Sequence, residues 1–316
     1  MKANFKYNII WLSLMVVGFI LMNTLILVGI IDSFLENMLV VIGINIILAL
    51  GLNLVVGFSG QFSLGHAGFM AIGAYATAII TSEHPNTLNF YLSIIVGIII
   101  AIIAAIIVGV PTLRLHGDYL AIATMGAAEI IRIIINNLKI TNGPSGMFNI
   151  PKFASWPVVY VMVCITTIII ANFVHSRAGR AIKSVREDEI AAESLGIKTT
   201  FWKLAAFVLG AATAAVAGSL DASYLQTITP NNFGIMESIS ILIIVVLGGI
   251  GSLTGTFVAA IVLGVIDTAL QSFGPLRMVI YSLALILIMV FKPTGLLGRY
   301  EISLPRIFAR KKEAKS

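Results

Sequence analysis

The chain has 316 residues, of which 59% are hydrophobic and only 11% charged, with a formal net charge of +6. A soluble domain carries about 25% charged residues, so this composition excludes an ordinary water-soluble fold. A hydrocarbon core about 30 Å thick needs roughly 20 apolar residues per helix, and runs of that kind recur from Ile9 to Phe291.

These runs are continuous rather than alternating, so helices are favoured over the strands of a closed barrel. In chain order the pattern predicts spans over 9–31, 36–57, 67–82, 90–111, 118–136, 157–175, 201–221, 235–250, 252–272 and 276–292. The fold class is therefore an all-α integral membrane protein, a polytopic bundle of about ten transmembrane helices. Lys2 and Lys6 precede the first run, which is too long for a signal segment and lacks an A-x-A cleavage pattern, so it is expected to be retained. With the N-terminus in the cytoplasm, 16 of the 20 basic residues fall on the cytoplasmic side and only Arg132, Lys139, Lys152 and Arg277 on the other. This asymmetry is what the positive-inside rule requires, and it puts both termini in the cytoplasm.

The positive charge sits in loops and in a tail carrying Arg306, Arg310, Lys311, Lys312 and Lys315. A solvated or lipid-facing end accounts for it, and no nucleic-acid partner is expected. The single cysteine, Cys164, lies in an apolar run, which leaves neither a disulfide framework nor a cysteine-based metal site.

Polar residues inside apolar spans point to function because burying them in lipid is expensive. The densest set is Asn53, Ser59, Gln61, Ser63 and His66, interleaved with Gly57, Gly60, Gly65 and Gly68. Residues 58–66 fit a plain cytoplasmic turn, or a re-entrant break whose free backbone groups line a solute pathway. His66 correspondingly fits a packing or a pathway role. Glu129 and Arg132 stand three apart and should pair on one helix face. Asp221, Glu237 and Asp267 lie near span ends, where exposure and a structural role are expected.

Small residues at helical spacing, Gly210, Ala214 and Gly218, then Gly251, Gly255 and Ala259, predict closely packed helices. The external loop 137–156, with the turn-rich cluster Asn142 to Gly146, and the stretch holding Tyr224, Gln226, Thr229 and Pro230 are either generic connectors or a docking surface for a donor protein.

The long polar loop 176–200 reads SRAGRAIKSVREDEIAAESLGIKTT. One helix is predicted over Arg180–Leu195, with an interrupted apolar stripe of Ile182, Val185, Ile190 and Leu195 and a stop at Gly196. Interfacial helices usually carry a basic polar face, whereas acids balance the bases here, so a protein groove suits this helix better than a lipid surface.

Its segment IAAESLG, residues 190–196, is similar to the cytoplasmic EAA loop of ATP-binding-cassette importers. Ala191, Ala192 and Gly196 match that motif, while Ile190 occupies the usual glutamate position and Glu189 lies one residue earlier. Further blocks extend the likeness: GLNLVVGFSGQFSLGHAGFMAIGAY from Gly51, RLHGDYLAIATMGAAEIIRI from Arg114, TNGPSG from Thr141, GGIGSLTG from Gly248 and KPTGLLG from Lys292. Together they resemble the LivM-type permease of branched-chain amino acid importers.

That resemblance implies a single permease domain over 1–316, with a coupling helix in loop 176–200 and a basic cytoplasmic tail at 301–316, in a bacterial plasma (inner) membrane. It implies a second, LivH-type permease subunit, two cytoplasmic ATPase subunits and an extracytoplasmic amino-acid-binding protein as partners. Coupling to the ATPase is assigned to Arg180, Arg186, Glu187, Asp188, Glu189, Ala191, Ala192 and Gly196. No Walker A, HExxH or GxSxG pattern is present, so no catalytic residue, metal or cofactor is expected on this chain, and ATP hydrolysis is expected elsewhere. Two alternatives stay open: an ion-coupled secondary transporter using Glu129 and Asp267, and the same importer class carrying urea or short amides.

Overall fold

The computed structural model describes residues 2–115 and 117–270, with isolated positions 283, 286, 290, 295, 296 and 298 beyond them. The predicted span 276–292 falls outside the described residues apart from three of those positions, and the tail 301–316 lies wholly outside them.

Each of the first nine predicted spans overlaps one helix. They are α1 (Lys2–Leu27), α2 (Ser33–Asn53), α3 (His66–Glu83), α4 (Thr87–Thr112), α5 (Asp118–Asn137) and α6 (Trp156–His175), then α9 (Thr199–Leu225), α10 (Ile235–Gly248) and α11 (Leu253–Ala269). Between α6 and α9 the polar loop holds α7 (Arg177–Glu187) and α8 (Glu189–Ser194). Polar side chains fix several starts by accepting the first free amides. Asp32 accepts from the Leu35 amide at 2.9 Å and Ser252 from the Gly255 amide at 3.0 Å.

Four helical segments are long and apolar enough to cross a membrane: Ser33–Phe58, Thr87–Thr112, Trp156–His175 and Thr199–Leu225. The helices α10 and α11 are shorter than their predicted spans, with 14 and 17 residues. At about 1.5 Å per residue they reach about 21 and about 26 Å, short of a hydrocarbon core about 30 Å thick. The turn between them fixes where α10 stops and α11 starts. Gly249 and Gly251 take φ of +111° and +87°, a region that side-chain-bearing residues avoid, and this reverses the chain at once.

The most buried span is α2, which packs against α6, α9, α10 and α11, while α3 and α4 pack on α9 and on each other. Apolar helices gain little from burying oil against oil, so close backbone approach must supply the attraction. It does so where α3 crosses α9. A Cβ added at Gly73 would sit 1.9 Å from the Ala215 carbonyl oxygen, and one at Gly218 would sit 1.9 Å from that of Met70. Ser219 adds an interhelical hydrogen bond to the Gly73 carbonyl at 3.1 Å.

At the end of the bundle remote from α7 and α8, loop 138–155 is a built structure. Met147 and Ile228 exchange two backbone hydrogen bonds of 2.9 Å. The Ser223 hydroxyl accepts from the Phe153 and Ala154 amides and donates to the Pro151 carbonyl, all within 3.1 Å.

The Gly73–Gly218 crossing yields a test. Gly218→Leu forces two backbones apart and should lower stability by about 3 kcal/mol or more, the upper range for overpacking. A Cβ at Gly126 would meet nothing within 4 Å. Gly126→Ala should therefore be neutral or stabilise by up to about 1 kcal/mol through helix propensity. Thermal unfolding of both variants in detergent measures the contrast.

Candidate functional site

The polar residues singled out in the sequence lie where α2 breaks. After Asn53 the helix widens into a π-helical turn, Leu54–Phe58, and residues 59–65 are irregular before α3 begins at His66. Asn53, Ser59, Gln61, Ser63 and His66 are all buried, each 4% exposed or less.

Asn53 is fully engaged. Its amide nitrogen donates to the Ser252 carbonyl at 2.9 Å and to the Thr256 hydroxyl at 2.7 Å, while its oxygen accepts from the Gly251 amide at 2.9 Å. One side chain thus ties the last turn of α2 to the turn 249–252 and to the start of α11. Gln61 donates to the Ser59 hydroxyl at 2.5 Å and to the Lys203 carbonyl at 3.0 Å. The Ser63 hydroxyl accepts from the Gly65 amide at 3.4 Å, and Thr124 of α5 accepts from the Leu64 amide at 3.1 Å. His66 opens α3, whose second amide, that of Ala67, donates to Ser238 of α10 at 3.1 Å. Four elements therefore hold the break in place.

The polar loop closes over the same point. In place of the single helix predicted over Arg180–Leu195 there are two, because Asp188 leaves the helical region and caps α8, its carboxylate accepting from the Ala191 amide at 3.0 Å. Aspartate competes for backbone amides in this way and favours caps over helix interiors. Gly196, with φ of +81°, ends α8 as expected.

The predicted apolar stripe is divided by this hinge. Ile182 and Val185 of α7 are buried against the bundle, whereas Ile190 is 80% and Leu195 81% exposed. The assigned coupling residues divide as well. Arg180, Glu187, Asp188, Ala191 and Gly196 are exposed, while Ala192 is buried and Arg186 and Glu189 are half-buried.

Arg186 points inward. Its guanidinium Nη1 donates to the Gly57 carbonyl, one of the terminal groups that a helix cannot satisfy internally. Glu189 pairs with Lys203 of α9 at 2.5 Å, and Lys183 stands 5.3 Å from the centre of the Phe58 ring. On α5 the expected pair forms, with Arg132 Nε to Glu129 Oε2 at 2.9 Å, and Arg132 also donates to Asn231 at 3.1 Å.

One grouping was not foreseen. Asp221, Glu237 and Asp267, expected to be exposed at span ends, are half-buried and line one cavity of about 940 Å³ between α2, α9, α10 and α11. They meet where the C-terminal end of α9 and the start of α10 come against α2 and α11. Asn37, Asn45 and Asn232 share the lining with apolar side chains, and among the described residues none that lines it is basic. Among the described residues, no three His, Cys, Asp or Glu side chains are placed to hold a metal ion.

Comparison with known proteins decides the family. The profile described as "Branched-chain amino acid transport system / permease component" matches residues 34–291. The chain belongs to this permease family. It is 38% identical over 267 residues to the high-affinity branched-chain amino acid transport system permease protein LivM of Escherichia coli (strain K12), and 36% identical to LivM of Salmonella typhimurium. Both matches take in 73% of this chain, which spans only 62% of the length of those relatives. It is also similar to the permease protein LivH of Escherichia coli (strain K12), at 31% identity over 182 residues, 57% of this chain and 59% of that protein. Among solved structures, PsaBC from Streptococcus pneumoniae in complex with Fab aligns with a TM-score of 0.47 at 16% identity, over 85% of this chain and 94% of that one.

For this member of the permease family, Asn53→Ala should orphan the Gly251 amide, while the Ser252 carbonyl keeps the Thr256 amide and hydroxyl as donors. A buried polar group left without a partner costs about 1–3 kcal/mol, so a lower melting temperature is expected. Ser63→Ala, which removes one long bond, should shift it far less; differential scanning fluorimetry in detergent compares the two.

Proposed function

We propose that this chain is the membrane-spanning permease subunit of an ATP-driven importer of branched-chain amino acids. The observation that carries the mechanism is the shape of α7 and α8: a hook rooted on the bundle through Ile182, Val185 and Arg186 that holds two large apolar side chains, Ile190 and Leu195, out into solvent. A self-sufficient carrier has no use for such a hook. A subunit driven by a separate ATPase needs a rigid handle whose tip fits a groove on the motor, and exposed apolar anchors on a short helix suit that form of recognition. Membership of the family, shared with LivM and LivH of Escherichia coli, supports the substrate class and a partnership with a second permease chain.

In this reading the hook is cytoplasmic, both termini lie on the same side, and two ATPase subunits supply the stroke. A binding protein on the opposite face delivers the solute to the end of the bundle built from loop 138–155 and residues 226–234. The cavity lined by Asp221, Glu237 and Asp267 serves as the entry chamber: its carboxylates meet the ammonium group of an amino acid and its apolar walls meet the side chain. The broken segment with Asn53, Ser59, Gln61, Ser63 and His66 forms the inner end of the route. ATP-driven rocking of the paired permeases changes access from one end to the other.

Three experiments test this. Replacing both Ile190 and Leu195 by Asp should abolish co-purification of the ATPase and leave the chain inserted and monodisperse; retained ATPase binding would overturn the hook assignment. In vesicles holding the assembled complex, leucine uptake should require ATP and the binding protein, and uptake driven by an ion gradient through this chain alone would overturn the importer reading. Glu237→Gln should lower leucine uptake by about tenfold, equivalent to about 1.4 kcal/mol of lost charge contact, with ATPase association unchanged.

A further inference from the structure

The polar hook does more than rest on the bundle, because each side of its hinge at Asp188 grips the broken end of α2. On the near side, Arg186 donates to the Gly57 carbonyl. On the far side, Glu189 holds the Lys203 side chain at 2.5 Å, and the Lys203 carbonyl accepts from Gln61 at 3.0 Å.

The Arg186 side chain is threaded as well as bonded. A Cβ at Gly60 would lie 3.1 Å from Arg186 Cγ, and a Cβ at Gly251 would lie 2.7 Å from Arg186 Nη1. Gly60 and Gly251 take φ of +71° and +87°, so the slot is built from backbone conformations that favour glycine. The guanidinium therefore sits between the end of α2 and the turn 249–252, which Asn53 ties to each other.

We propose that Arg186 is the positioning residue that transmits movement of α8 to the broken end of α2 and to the turn between α10 and α11. This rests on the importer reading above and deepens it by naming the path of the stroke. Asp188 keeps a backbone bond to each helix, its amide donating to the Ser184 carbonyl of α7 at 3.1 Å and its carbonyl accepting from the Ala192 amide of α8 at 3.0 Å, so a displacement of α8 carries the last turn of α7, and with it Arg186. Its planar, always-charged fork holds the buried Gly57 carbonyl, and such a charge-assisted bond is stronger than one between neutral groups. A pull on the guanidinium thus moves Gly57 and the start of α11 together.

The test uses the complete transporter in vesicles, with leucine as the probe, and the variants Arg186→Met, Arg186→Lys and Gly251→Ala. Two readouts are taken: leucine transported per ATP hydrolysed, and amide hydrogen exchange across residues 57–61. Arg186→Met should lower the transport per ATP by about tenfold, inside the roughly 5- to 150-fold range that couplings between sites span. ATP turnover and subunit assembly should persist, and exchange at 57–61 should quicken. Arg186→Lys, which still donates to a carbonyl, should recover part of the ratio. Gly251→Ala keeps the arginine but crowds its slot, and should reproduce the Met phenotype; it decides the matter if Arg186→Met does not assemble.

A purely structural cap would lower the yield of complex without changing the transport per ATP, and that outcome overturns the proposal. So does unchanged exchange at 57–61 in either variant. If the wild-type complex shows no ATP-dependent uptake while exchange still responds to Arg186→Met, the importer reading fails and Arg186 is a local brace only.

Discussion

A helix that stops inside an apolar bundle leaves carbonyl groups that no water can satisfy, and each must find a donor within the protein. The end of α2 is governed by this requirement. The Leu54 carbonyl accepts from the Ser59 amide and the Val55 carbonyl from the Gln61 amide, both at 3.1 Å, which turns the chain immediately after Phe58. The Gly57 carbonyl is left over, and its donor comes from Arg186, far along the sequence. A charge-assisted bond of this kind contributes about 1.5–3 kcal/mol. It also fixes geometry, because the arginine can reach Gly57 only if α7 lies flat on the bundle and the turn 249–252 leaves a slot. The positions of α3, α7 and α11 are thereby set by one helix end.

The hook depends on a second division of labour. Burying a side chain such as Ile182 is worth about 1.5–3 kcal/mol, and α7 spends its apolar residues inward, where they root it. Asp188 then turns the chain so that α8 presents its own apolar residues to the other side. In an unbroken helix over the same sequence Ile182, Val185 and Ile190 would have shared one broad face toward the bundle, leaving only Leu195 for a partner. The break of one residue converts a surface helix into a handle, and Glu189, just past the break, steadies the handle through Lys203.

Local features were legible in the sequence and distant pairings were not. The helices followed from apolar runs, the Glu129–Arg132 pair from three-residue spacing, and the stop at Gly196 from its identity. The glycines at 57, 60 and 251 marked close backbone approach, yet nothing in the sequence indicated that Arg186 fills the space they leave. A half-buried arginine and a solvated one look the same in a polar loop. The hinge at Asp188 was concealed by good helix formers on both sides, although an aspartate three residues before an alanine amide is an ordinary cap. The convergence of Asp221, Glu237 and Asp267 was hidden because it depends on how three helices pack, which no local pattern records. The signal that remained was chemical: each is a lone carboxylate in an otherwise apolar helix, which is costly enough to demand an explanation.

The two ends of the bundle are joined by α2 itself. Asn45 lines the cavity and Gly57 accepts from Arg186, twelve residues apart along one helix, or about 18 Å at 1.5 Å per residue. Backbone hydrogen bonds run unbroken along most of that length, so the helix moves as a rod rather than stretching, and the wider π-helical turn lies at the Arg186 end, where flexure is needed. Turns of this type interrupt regular helices mostly where function demands it. The stiff part of α2 therefore borders the chamber and the pliable part meets the hook, an order that lets a displacement at one end of the bundle alter the walls of a cavity at the other without unravelling the helix between them.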